Sequence, residues 1–81
     1  MGSVRAMSWA ILRLTDQLAR LAADSGTHPH AVRADYDDDV ARLMGGDESL
    51  RELAEAEALQ NCVTKYGELA AHRRRIETRP A

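Results

Sequence analysis

The sequence has no phenylalanine, a single tryptophan and two tyrosines, so few aromatic side chains are available to fill a core. Cysteine is nearly absent as well. Cys62 stands alone, which excludes a disulfide framework within one chain and an all-cysteine metal site. Its neighbours Leu59 and Val63 point to a small buried apolar role for it. Long apolar runs are also missing: none approaches the roughly 18 consecutive residues that a bilayer-spanning helix requires. Charge of one sign is not in excess, and the net charge of −2 gives no general attraction to nucleic acid or to an anionic membrane. The opening stretch carries a positive charge followed by apolar residues, as a leader would. Arg13, Asp16 and Arg20 interrupt it and no cleavage region follows, so it reads as mature structure in a cytoplasmic, bacterial-type protein.

What is present is a chain of 81 residues with 44% apolar content, enough for one domain spanning 1–81 and one modest core. Alanine is abundant. An alanine-rich core lets helices approach closely but buries little area per residue, which leaves a lone monomer marginal. Oligomerisation or docking on a partner is the simplest remedy.

Apolar spacing predicts three helices and an all-α fold. In the first, over about 4–24, Val4, Met7, Ile11, Leu14, Leu18 and Leu21 recur every three or four residues, a seam fit for another long helix. Ser25-Gly26 stops it, with Gly26 suited to a left-handed cap. Thr27 is placed to cap the second helix, over 29–44, where Pro29 is tolerated in the first turn. Val32, Tyr36, Val40 and Leu43 form its inward stripe, and Gly45-Gly46 ends it. Asp47 is placed to cap the third helix, over 48–76, whose best stripe is Leu59, Cys62, Val63, Tyr66, Leu69 and Ala70. Gly67 costs about 1 kcal/mol relative to alanine there and marks a candidate close crossing. A frayed tail containing Pro80 follows. The expected architecture is a small helical bundle of long, short and long elements. The two long helices pair antiparallel with the short one across an end, and antiparallel packing in a homodimer completes the bundle.

Trp9 projects almost opposite the main stripe of the first helix, with Leu12 partly towards the same side. A single exposed aromatic is common, but the only tryptophan of a burial-poor chain is better used at an interface.

The segment "HPHAVRADYDDDVARL" carries the most obvious chemistry. His28 and His30 could set two imidazoles near one metal, yet tetrahedral zinc needs three or four protein ligands and His72 is remote. A polar helix start is the simpler account, and no metal or cofactor is expected. Asp37 lies four residues after Arg33 and Asp38 four before Arg42, ordinary surface spacings. Asp35 borders the inward stripe and Asp39 lies almost inside it, where it needs a donor such as Arg42.

Glu52, Glu55 and Arg73 repeat this anomaly on the third helix. Across an antiparallel dimer, Glu52 and Glu55 could meet Arg73 of the other chain and fix register. Alternatively Asp39, Glu52 and Glu55 could offer oxygen ligands or an acid pair beside Arg73, the catalytic candidates of this chain. No spacing is specific to either use: the Glu-x-x-His pattern, the phosphate-binding glycine loop and the zincin motif are all missing. Arg73-Arg74-Arg75 with Lys65 and Arg79 could touch phosphates, but consecutive arginines fan around a helix, and an acidic protein partner fits them equally.

The long-short-long order resembles that of helical chorismate mutases, which cradle a dicarboxylate with arginines and a lysine from two chains. The resemblance covers architecture alone, since Lys65 is the sole lysine and no active-site motif matches residue by residue. The sequence therefore favours a non-enzymatic interaction, accessory or regulatory protein acting as a homodimer or on a larger partner. Its expected interface comprises Trp9, Leu12, Asp35, Tyr36, Asp39, Arg73, Arg74 and Arg75. A compact dimeric enzyme or small-ligand binder with a charged inter-helix pocket is the alternative.

Overall fold

Glycine, proline and a few polar caps divide the chain into its helices. A computed structural model describes the backbone of residues 3–77 and the side chains of residues 13–77. Helix α1 spans Ser3–Ser25, α2 spans Pro29–Met44, and a single 3-10 turn over Glu48–Leu50 leads into α3 over Arg51–Glu77. No strand occurs among the described residues.

The end of α1 is closed by a pair of backbone bonds that only a left-handed residue permits. Gly26, at φ 71°, donates to the Ala23 carbonyl at 3.3 Å, and Thr27 donates to Ala22 at 2.9 Å. Thr27 is thereby used up in ending α1, and its Oγ1 also accepts from the Ser25 hydroxyl at 2.9 Å. The cap of α2 is accordingly not Thr27 but His28, whose Nδ1 accepts from the His30 backbone N–H at 3.1 Å. Pro29 follows in the first turn, where no donor is missed. At the other end Gly45, also left-handed, donates to Ala41. Asp47 then accepts from the backbone N–H of Ser49 at 3.0 Å and from its hydroxyl at 2.7 Å, opening the 3-10 turn.

The bundle runs up, down, up. Asp35 on α2 meets Lys65 on α3, and Asp39 meets Asn61, so four residues forward on one helix match four residues back on the other. Helices α2 and α3 are therefore antiparallel. The guanidinium of Arg73, near the end of α3, reaches the Ala23 carbonyl near the end of α1, so the two long helices run in the same direction. This corrects the expected antiparallel pairing of long helices within the chain. The three-residue turn Gly26–His28 reverses the chain after α1, and α2 lies along the others rather than across an end.

The core is built almost wholly on four-residue steps. Val32, Tyr36, Val40 and Met44 line α2, and Ala54, Ala58, Cys62, Tyr66 and Ala70 line α3. Leu18 and Ala22 complete it from α1, with Leu14, Leu21, Leu43 and Leu59 packed at its edge. The expected stripes were drawn on mixed three- and four-residue steps and so drift off this row. Leu43 gives way to Met44, while Val63 and Leu69 stay 41% and 44% exposed. Alanines are the reason. A row of small side chains forms a shallow i, i+4 ridge on which neighbouring helices settle closely, and the larger Val63 and Leu69 flank it.

Candidate functional site

The aspartates of α2 are split by the helical period into two roles. Asp37 faces outward and pairs with Arg33 at 3.3 Å, and Asp38 is exposed. Asp35 and Asp39, four residues apart, sit on the flank that meets α3. The corresponding flank of α3 offers Asn61, Lys65 and the hydroxyl of Tyr66.

Asp35 accepts from the Lys65 ammonium at 2.6 Å and from the Tyr66 hydroxyl. The lysine contact first, then the tyrosine contact, holds its carboxyl below the usual range. Reciprocally, the carboxylate raises Lys65, and burial followed by the Asp35 contact raises Tyr66. Asp39 accepts from Arg42 at 2.9 Å and from the Asn61 amide at 3.0 Å, and its carboxyl is lowered by those two contacts in that order. The Arg42 pairing agrees with the sequence expectation. Asn61 and Lys65 were not anticipated, although their own spacing of four, matching that of Asp35 and Asp39, was the available signal.

Between these contacts lies a polar groove of about 180 Å³ lined by Asp35, Asp38, Asp39, Asn61, Cys62 and Lys65. Burial, with the two carboxylates adding to it, raises the Cys62 thiol, so at neutral pH it is a protonated core group rather than a thiolate nucleophile. A larger groove of about 520 Å³ runs beside Leu14, Tyr36, Val40 and Met44, with Arg33, Asp37, Arg51 and Glu55 at its polar edge. Those charges are already satisfied internally: Arg33 pairs with Asp37, and Arg51 holds Glu48 through two bonds of 2.7 and 2.8 Å.

The remaining candidates do not converge. Glu52 is exposed in the first turn of α3, and Glu55 lies 4.0 Å from Arg51. Arg73, about 30 Å further along the helix, bonds Glu77 at 2.9 Å and caps the α1 carboxyl end through Ala23. Asp39, Glu52 and Arg73 therefore form no common pocket. Arg74 and Arg75 are exposed on the last turns of α3. Tyr36, expected at an interface, is a core residue with 4% exposure. Its phenol is raised by burial first and by Glu55 second. Trp9 and Leu12 lie outside the described side chains.

His28 and His30 are exposed and stack on each other with ring centroids 5.0 Å apart. The Nδ1 of His28 is engaged as the helix cap. Among the described residues, no group of three or more His, Cys, Asp or Glu gathers where one metal ion could be held. No described helix is long and apolar enough to cross a membrane. Comparison with protein families, with curated proteins and with solved structures finds no match.

Proposed function

We propose that this chain is a helical protein-docking module whose contact face is the outer side of α3. The observation that carries this reading is the distribution of exposed large apolar side chains. Among the described side chains, the large apolar ones left exposed, Leu50, Leu53, Val63, Leu69 and Ile76, all belong to the 3-10 turn or to α3, with Leu53 and Val63 on its outer side and Leu69 on the flank towards α2, whereas the outer face of α2 presents Arg33, Asp37, Asp38 and Arg42. Apolar side chains left on one helix of a small, alanine-cored bundle are surface that a partner can bury. Small-molecule binding in the 520 Å³ groove is the weaker reading, because its arginines already hold carboxylates of the same chain.

The test is proximity capture in the native cell with the chain carrying Leu53→Asp and Val63→Asp, alongside Asp38→Lys on α2 as control. Loss of the captured set with the α3 variant alone is the expected result. An identical set from the wild type and from both variants would overturn the reading.

A further inference from the structure

The outer face of α3 has an order of its own, distinct from the row that faces the core. Leu53, Ala56, Gln60, Val63, Gly67 and Ala71 follow steps of three and four, and on a helix of 100° per residue they share about 80° of arc. Leu53 is 67% exposed and Val63 41%, and Ala56, Gln60 and Gly67 are exposed too. A side chain built at Gly67 would meet no atom within 4 Å. Among the described residues the glycine thus has no packing role, and the close crossing expected at Gly67 is not made with any of them. It leaves a notch in a helix face of heptad-like spacing.

The charges of α3 are segregated along its length. From Arg51 to Gln60 one arginine faces three glutamates, while from Asn61 to Glu77 four cations face two glutamates. A parallel pairing of two such helices would double each imbalance, and an antiparallel pairing cancels both. Sliding two antiparallel copies to within two residues of full overlap, with the twofold between Thr64 and Lys65, sets Val63 of one over the Gly67 notch of the other. The same register brings Glu57 within a turn of Arg75 of the second copy, on the side of the seam both occupy. About 40 Å of helix is then paired, a contact long enough for a specific small dimer.

We infer that the partner of the α3 face is a second copy of this chain, packed antiparallel through Leu53, Val63 and Gly67 about a twofold axis near Thr64. This rests on the docking reading above and names its occupant.

Sedimentation of the purified full chain, at concentrations on the order of 100 µM, is expected to show a dimer. Val63→Asp and Gly67→Gln should each raise the dissociation constant at least tenfold with helicity retained, the second by filling the notch with a helix-favouring residue. Under mild oxidation Thr64→Cys should form a disulfide-linked dimer and Leu53→Cys should not, because antiparallel chains hold the two Leu53 positions far apart. A monomer overturns the self-association but leaves the docking reading standing if cellular capture still depends on α3. A dimer indifferent to both α3 substitutions overturns the inference by placing the contact on another face. Cross-linking at position 53 rather than 64 overturns the antiparallel arrangement.

Discussion

Removing the Asp35 carboxylate should uncouple α2 from α3 in a way that a double-mutant cycle can measure. The side chains of Lys65 and Asp35 are 58% and 39% exposed, so their ion pair contributes only about 0.2–1 kcal/mol after screening by water. The Tyr66 hydroxyl donates to the same carboxylate from a residue only 3% exposed, and a bond to a charged acceptor of this kind adds roughly 1.5 kcal/mol. Alanine is the better helix former by roughly 0.5 kcal/mol and offsets part of the loss. Asp35→Ala is therefore expected to cost about 1–2 kcal/mol net, and Tyr66→Phe about 1 kcal/mol. The double variant should fall short of their sum by about 1 kcal/mol, since either change alone already removes the shared bond. In a chain of this size each kcal/mol lowers the thermal midpoint by about 4–8 °C, which circular dichroism resolves. Costs that add to within about 0.3 kcal/mol would refute the argument, because the two groups would then act independently.

Three further outcomes follow from the same contacts. Stability against pH should have a plateau bounded on both sides. Asp35 and Asp39, held below the ordinary carboxylate value, contribute above about pH 4 and lose that contribution as pH falls through their lowered values. Tyr66 and Lys65, held above theirs, contribute below about pH 10 and lose it as pH rises further. Thermal midpoints across the range check this, and an acid limb unchanged in Asp35→Ala/Asp39→Ala would contradict it. Gly26→Ala should cost about 1–2 kcal/mol in urea unfolding, because φ is 71° and the new Cβ would lie 2.7 Å from the Arg73 guanidinium; a neutral result would refute the strained-cap argument. His28→Ala should lose the α2 cap at about 0.5–1 kcal/mol, while His28→Asp restores it with an acceptor that also suits the helix dipole. Equal stabilities for the Ala and Asp variants would show that the cap contributes nothing.

Helix ends were legible because single residues decide them. Gly26, Pro29, Gly45 and Asp47 each have a backbone or capping preference that no distant contact needs to supply, and α2 spans the 29–44 expected from them. Thr27 shows the limit of local reading. Two adjacent ends compete for the same residue, and the closure of α1 took Thr27 and passed the cap to His28. The core row was less legible because alanine carries too little apolar weight to mark a buried face. Ala54, Ala58 and Ala70 are inside while Leu53 and Leu69 are not, a choice made by how closely three helices can approach. Asp39 stood out as a polar residue near an apolar stripe. Its pairing with Asn61 depended on the direction of α3, which local patterns do not fix.

That pairing has a further consequence for how the bundle finds its register. The core face of α3 from Ala54 to Ala58 looks the same to α2 after a slide of one turn, so alanine packing alone discriminates poorly between registers. The flanking row Glu57, Asn61, Lys65 and Leu69 does not look the same. In the observed register Asp39 meets Asn61 and Asp35 meets Lys65. A slide of one turn in one direction sets Asp39 against Glu57, a like-charge contact; in the other it leaves Asp35 facing Leu69, with Lys65 taken by Asp39. Polar contacts of this kind specify an arrangement more than they stabilise it. Asp35→Asn with Asp39→Asn keeps the shape of both side chains and removes the charge that distinguishes the registers. Its amide NMR spectrum should show extra or exchange-broadened peaks confined to α2 and the facing turns of α3, although the loss of global stability stays within about 2 kcal/mol. A single sharp set of peaks at the wild-type positions would mean that packing alone selects the register. Asp35 and Asp39 would then be surface ion pairs of the same standing as Asp37.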